Sequence, residues 1–322
     1  MQNAEIKVSV IITAYNQEKY IEKTIQSVLA QKVSFPIELL IGDDGSSDNT
    51  VSIILRYAKQ HPEQIIPVCN KANVGASHNF YHLLQMARGQ YIATLEGDDY
   101  WTDPHKLSKQ VEYLDRKPEA SGCVHDTQLV NRLGIPLQTQ KLAWVKARAQ
   151  SDLRNFDGEH LPGHASSLVF RNFMRERTHD FWIITAHQQI SDRCIFLVLL
   201  TFGTVEHIPQ CMSAYRILRS GDDQNMTRKL FLSRQNVFYS EMELLSSMER
   251  WLFQECGISK HFIRAKSRVF AAFLFGRNSK NHRSAAAAMT LLRESGHPLS
   301  VLTVLPFSTV EKIILNYSNV NR

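Results

Sequence analysis

Closely spaced cysteines are missing from this chain. The five present stand at 69, 123, 194, 211 and 256, too far apart for a zinc or dithiol motif. An odd, scattered set argues against a disulfide framework and is expected of reduced thiols in a cytoplasmic protein. Long apolar runs are missing too. The most apolar stretch, CIFLVLLTF (194–202), falls far short of the ~20 residues that a bilayer helix needs. The opening MQNAEIKVSVIITAYN lacks the basic start, apolar middle and cleavage site of a secretory leader. A soluble protein is expected, or one that touches a membrane only at its periphery. No Gly-x-Gly-x-x-Gly follows the first strand-like segment, so the phosphate loop of a dinucleotide-binding protein is lacking. No nucleic-acid motif accompanies the basic residues, and nucleic acid is not an expected partner.

What is present is a globular composition. The chain has 322 residues, 43% hydrophobic and 21% charged, enough for one large domain or two smaller ones. The net charge of +6 is unevenly spread, because residues 225–322 carry 14 Lys/Arg against six Asp/Glu. This divides the chain into a first region, 1–224, and a basic C-terminal region, 225–322.

The first hundred residues alternate between two periods. KVSVIIT (7–13), IELLIGDD (37–44), QIIPVCN (64–70) and QYIATLEGDD (90–99) read as strands. Between them, 18–31, 48–61 and 75–89 read as helices, with Asp48 placed to cap the second and Gly89 to close the third. This alternation predicts an α/β fold, a mostly parallel central sheet with helices on both faces. A helix is expected over 103–118, a strand over 120–131, no regular period over 132–160, a strand at 165–170 and a helix over 191–203. Further on, 236–257, 261–276 and 282–296 read as helices, the first with Phe238, Met242, Leu245, Met248 and Leu252 on one stripe.

Ligands on such sheets bind beyond the carboxyl ends of the strands. Here those ends carry Thr13, Ala14 and Tyr15, then Asp43 and Asp44, then Glu96, Asp98 and Asp99. Three carboxylates in four residues repel one another unless water or a cation offsets them.

The segments VSVIITAYNQEKYIEKTIQSVLAQ, ELLIGDDGSSDNT and ARGQYIATLEGDDYWTDPHKL, in this order and spacing, resemble the family 2 glycosyltransferases. The likeness spans roughly residues 7–220 and leaves the C-terminal region uncovered. It implies a GT-A fold and an inverting enzyme that uses a nucleotide-sugar donor and a divalent cation, Mg²⁺ or Mn²⁺. Glu96, Asp98 and Asp99 then stand for the family's Asp-x-Asp motif. Asp99 is the expected metal ligand with Asp98 beside it at the ribose, and Asp98 on the metal with Glu96 at the ribose fits the spacing nearly as well. The resemblance has Asp44 accept from the uracil NH, as an ionised carboxylate only accepts. It places Thr13, Ala14 and Tyr15 against the base, and Asn73 at a helix start near the diphosphate.

Inversion requires one group to take the acceptor proton. By resemblance that base is a carboxylate at the start of a later helix, which in ISDRCIFLVLLTFG is Asp192. The same residue suits a helix cap or first turn. GHASSLVFR places His164 on the acceptor side. In AYRILRSGDD, Leu218 stands where the family often has histidine, leaving Arg216 or Arg219 to supply positive charge, and SGDDQN reads as a lid.

The process implied is assembly of a bacterial surface polysaccharide such as O-antigen, lipopolysaccharide or capsule, on the cytoplasmic side of the membrane. A UDP-sugar is the expected donor, a dTDP-sugar would meet the same carboxylate, and the acceptor is a glycan or lipid-linked glycan. The basic C-terminal helices then read either as a charged outer face or as a peripheral membrane patch helped by Trp251 and Phe253. Two other classes stay open: a sugar-nucleotide-binding protein without catalysis, and a nucleotidyltransferase. The latter would need a Gly-rich basic loop where TAYNQEKY stands.

Overall fold

Strands buried on both faces read as continuous apolar runs, and the N-terminal strands do so. The computed structural model describes residues 5–138, 142, 144–175, 179–187, 192–218, 237–275 and 285–304. Its first strands are β1 (Val8–Ala14), β2 (Ile37–Asp43), β3 (Ile65–Cys69) and β4 (Tyr91–Glu96). β1 lies parallel between β2 and β4, and β3 extends the sheet beyond β2. The crossovers are helices α1 (Ile21–Leu29), α2 (Thr50–Gln60) and α3 (Ala76–Met86). Ile21, Ile25 and Val28 form the buried stripe of α1. The register sets Thr13 opposite both Gly42 and Glu96, so the polar tips of β1, β2 and β4 share one edge.

The later elements are β5 (Tyr100–Trp101), α4 (Lys106–Asp115), β6 (Ala120–Val130), β7 (Gln150–Ser151), β8 (Val169–Arg171), α5 (Asp192–Phe202) and β9 (Thr204–Arg216). The sheet runs β3-β2-β1-β4-β8-β6-β9-β5, with β7 on β9. The four strands of the first hundred residues are parallel. Beyond them the sheet is mixed: β8 is antiparallel to β4 and β6, β6 is parallel to β9, and β5 and β7 run against β9. No α-helix lies between β6 and β8 among the described residues, and an antiparallel partner needs no helical crossover.

Several local expectations change. Helix α3 stops at Met86 and Ala87 is already extended, so Gly89 does not close it. Gly89 is required instead by close approach, because a Cβ there would sit 2.4 Å from the Ser9 backbone nitrogen. Asn49 precedes α2, while Asp48 accepts from the N–H groups of Thr50 (3.0 Å) and Glu18 (3.1 Å), joining two loops. The aperiodic 132–160 stretch contains β7 and one end of each of two isolated bridges, Val130 to Pro136 and Val145 to Leu161. The 13-residue β9 covers a stretch for which the sequence predicts no strand.

Contacts group the chain into two compact units, residues 1–156 with 160–224, and residues 157–159 with 225–322. The second is helical: α6 (Val237–Cys256), α7 (Ile263–Phe275), α8 (Ala285–Glu294) and α9 (Pro298–Thr303). Met242, Leu245, Met248 and Leu252 are fully buried, as their spacing predicts. Trp251 is fully buried too, which makes it a core residue rather than a membrane-facing aromatic, whereas Phe253 is 68% exposed. No helix of the described residues is long and apolar enough to cross a membrane. The expected lid, SGDDQN, lies outside the described residues.

Candidate active site

The tip of β1 holds the site together. The Ala14 carbonyl accepts from Asp44 N–H and the Thr13 carbonyl from Gly97 N–H, both at 2.9 Å. Asn16 takes a positive φ of 53° there. Its N–H donates to Ser46 Oγ and its Oδ1 accepts from Ser47 N–H, each at 2.8 Å, which clasps the β1 loop to the Asp-Asp-Gly-Ser turn. Gly45, at φ 75°, lets that turn press on the backbone of Ala72 and Asn73, where a Cβ would lie 2.7 Å from Ala72 C. Thr13, Ala14, Tyr15, Asp44 and Asn73 therefore converge, with Asn73 exposed.

Asp44 is only 3% exposed. Its oxygens accept from the N–H groups of Val74 (2.9 Å) and Gly75 (3.0 Å), where α3 begins, and from Asn70 Nδ2 (3.3 Å). Most of its acceptor capacity is spent closing this loop. Asp43, fully buried, accepts from Ser46 N–H at 2.8 Å and from the Ser46 hydroxyl.

The three carboxylates after β4 differ sharply. Asp99 is fully buried and accepts from Ser166 Oγ at 2.5 Å on Oδ2 and from Arg216 N–H at 2.9 Å on Oδ1. Burial, then repulsion from Asp98 and Glu96, raises its pKa well above the ordinary range, against the pull of those two donors. Asp98 is half-buried, and burial pushes its pKa up to about 6 although Arg216 opposes the shift. Glu96 is exposed, yet confinement by the site walls and then repulsion from Asp98 and Asp192 push its pKa up to about 8. Solvent reaches this carboxylate, so the repulsion is the part of the shift to weigh, and a bound cation would reverse it.

Asp192 is the first residue of α5, half-buried, and its Oδ1 accepts from the following N–H at 2.8 Å. Its repulsion of Glu96 places the two carboxylates in one electrostatic site, across about a hundred residues of chain.

His164 is 7% exposed and its Nδ1 accepts from Ser166 N–H at 3.2 Å. Burial lowers its pKa to about 4, so the ring is a neutral acceptor there. It packs on Tyr215 with 4.2 Å between centroids. Arg216 turns inward rather than presenting a free cation. Its Nε donates to the Asp98 carbonyl (2.9 Å), and its Nη1 donates to the carbonyls of Arg132 (2.8 Å) and Asn131 (3.3 Å). Its guanidinium also lies 4.5 Å from the Tyr20 ring centroid. Arg219 lies outside the described residues.

Sequence reasoning overlooked the supports. Ser166 holds Asp99, and Thr24 Oγ1 lies 2.8 Å and 2.6 Å from the carbonyls of Gly97 and Asp99. Trp101 Nε1 donates to the Ser166 carbonyl at 3.1 Å. Ser166 and Trp101 fall inside segments already singled out, but nothing local marks a serine as a carboxylate's partner.

The family model described as Glycosyl transferase family 2 matches residues 9–176. The chain belongs to this family. A member from Bacillus subtilis (strain 168), TuaG, is 42% identical over 79% of this chain and 95% of its own, and its name assigns it provisionally to teichuronic acid biosynthesis. An uncharacterized protein of Mycobacterium bovis is 36% identical over 65% of this chain, and the match covers 58% of the mycobacterial protein. Among solved structures, S. aureus TarS 1-349 in complex with UDP-GlcNAc superposes with a TM-score of 0.61 at 16% identity, covering 92% of this chain and 81% of TarS. That likeness shows a shared glycosyltransferase fold, the GT-A arrangement expected from the sequence.

Proposed function

We propose that this family 2 chain transfers a sugar, with inversion, from a nucleotide-sugar to a hydroxyl of a glycan or lipid-linked glycan. The reading rests on Glu96 and Asp98 at the sheet edge beside a buried Asp99, with Asp192, at the start of α5, near enough to raise the Glu96 pKa. Family membership supports the reaction type. TarS holds UDP-GlcNAc on this fold, which supports a UDP-sugar as the first donor to test. The name of TuaG supports a role in bacterial surface polysaccharide synthesis. A dTDP-sugar would suit the same base pocket.

The donor set fits a divalent cation. Its carboxylates Glu96, Asp98 and Asp99 offer the oxygens that Mg²⁺ and Mn²⁺ prefer, with His164 the one nitrogen ligand beside Glu96 and Asp99, and burial and mutual repulsion raise the pKa values of Glu96 and Asp99. Both Asp99 oxygens already accept from protein donors, which favours Asp98 as the metal ligand and Glu96 beside it or at the ribose. Such an ion, when bound, offsets the charge that gathers on the departing diphosphate. Asp99 acts as the anchor that fixes Asp98 and Glu96 at the edge. Thr13, Ala14 and Tyr15 border the base, Asp44 shapes its rim with one acceptor position to spare, and Asn73 lies by the diphosphate at the start of α3. Asp192 takes the proton from the acceptor hydroxyl as it attacks the anomeric carbon, and His164 with Tyr215 walls the acceptor side. A single displacement of this kind inverts the anomeric centre.

The test is transfer by Asp192→Asn. Loss of general-base catalysis lowers kcat by roughly 10²–10⁴-fold, while thermal stabilisation by the donor nucleotide is unchanged. An undiminished kcat would remove Asp192 from the chemistry. A wild-type chain that binds UDP-sugar and never turns it over would favour a non-catalytic binder.

A further inference from the structure

The helical unit carries a second cluster of ligand-type side chains that the transfer reaction does not use. Glu249 lies in the second half of α6, His261 in the turn before α7, and His297 at the residue preceding α9. Each offers one ligand atom, and these atoms lie within 4.8 Å of one another. His261 Nδ1 is 3.7 Å and His297 Nε2 3.5 Å from Glu249 Oε2. These separations are long for hydrogen bonds. They are close to the edge of a tetrahedron around zinc, about 3.3 Å for bonds of about 2.0–2.1 Å.

We propose that Glu249, His261 and His297 form a binding site for a borderline-soft divalent metal of the Zn²⁺ class, clipping α6 to the starts of α7 and α9.

The surroundings fit that use. Glu249 Oε1 accepts from Phe262 N–H at 2.6 Å, which fixes the carboxylate and turns Oε2 toward the two rings and the Lys266 ammonium. The other His261 nitrogen, Nε2, lies 3.5 Å from Ser259 Oγ. The rings stand at 62° with centroids 4.2 Å apart. Glu249 is 10% exposed, His297 33% and His261 47%, so solvent reaches the cluster and a fourth ligand position can be water. The charged neighbour is Lys266, whose ammonium donates to Glu249 Oε2 and to the Ser295 carbonyl at 2.7 Å and 2.6 Å. It leaves the cluster little net negative charge. Mg²⁺ and Ca²⁺, which rely on carboxylates, gain little there, whereas Zn²⁺ and Co²⁺ gain two imidazoles. The site of Glu96 and Asp99 brings its own histidine, His164, so excess Mg²⁺ at its carboxylates together with the His261 and His297 variants tells the two apart.

The experiment is Co²⁺ titration of the untagged full-length chain in excess Mg²⁺, followed by visible absorption, with Zn²⁺ competition. The result expected is one Co²⁺ per chain with the intense bands of a tetrahedral nitrogen-containing site, displaced by one Zn²⁺. His261→Gln and His297→Gln should each weaken binding by at least about tenfold, the smallest effect expected even of an outer-shell change. His297→Cys, which keeps a soft ligand, should retain one Co²⁺ and add a thiolate charge-transfer band, so a folding defect in a glutamine variant does not spoil the test. Absence of tetrahedral bands in the wild type, or bands that persist in either glutamine variant, would overturn the proposal.

Discussion

Replacing Ser166 with Ala isolates the support beneath the carboxylate cluster. The change removes one hydroxyl that donates to Asp99 Oδ2 at 2.5 Å and leaves every charge in place. Both residues are fully buried, so water does not replace the lost partner. A hydrogen bond to a charged group contributes about 1.5–3 kcal/mol. At about 2–4 °C per kcal/mol for a domain of this size, the midpoint should fall by about 3–12 °C. The loss should also depend on pH. Asp99 has a folded pKa already above its unfolded value, so the unfolded chain holds fewer protons, and stability falls as pH rises from the ordinary carboxylate range through the folded pKa. Ser166 moderates that rise by favouring the ionised form. Without it the folded pKa climbs further and the decline continues to higher pH. Differential scanning calorimetry of both chains over a pH series, without divalent metal, should show the gap widen as pH rises through the folded pKa of Asp99. Equal midpoints, or a gap that narrows as pH rises, would refute the assignment of Ser166 as the partner of an ionised Asp99.

Other substitutions probe neighbouring supports. Gly89→Ala drives a Cβ onto the Ser9 backbone, 2.4 Å away, and should cost about 1–3 kcal/mol in urea unfolding; an unchanged midpoint would show that β1 can yield. Arg216→Lys keeps the charge but loses the planar fork that holds the carbonyls of Asp98, Asn131 and Arg132, and should destabilise by about 1.5–3 kcal/mol while weakening nucleotide binding. Equal stability and binding in the lysine variant would make Arg216 a simple charge. Glu96→Gln removes a repulsion with Asp98 and Asp192 that is present once Glu96 ionises, so the metal-free midpoint should rise above about pH 8; a fall there would mean that the carboxylates are not crowded.

The parallel half of the sheet was legible because each strand is an apolar, β-branched run and each crossover helix has its own stripe. The position of the candidate site is legible too, since carboxylates at the tips of β2 and β4, on either side of β1, are a local pattern. β9 was harder, as Glu206, His207, Pro209 and Gln210 interrupt its apolar run and its partner β6 lies some eighty residues earlier in the chain. Asp98 and Asp99 look alike in sequence. Only the arrival of Ser166 and the Arg216 backbone makes one an anchor and leaves the other half-exposed. Arg216 likewise turned inward because carbonyls of residues 98, 131 and 132 converge on it, a feature of tertiary structure alone. Trp251 shows the limit of composition, for an aromatic among basic residues proved to be core.

The most direct measurement is the unfolding midpoint of wild type and Asp98→Asn with UDP, in Mn²⁺ and again in excess chelator. A ligand bound only by the folded state raises the midpoint by mass action, about 2.7 kcal/mol at a hundredfold excess over Kd. A cation-assisted donor site at Glu96 and Asp98 predicts a UDP shift in Mn²⁺ that chelator abolishes and Asp98→Asn loses. A shift of equal size in all these conditions would contradict a metal at Asp98, and no shift with any nucleoside diphosphate would contradict the donor site itself.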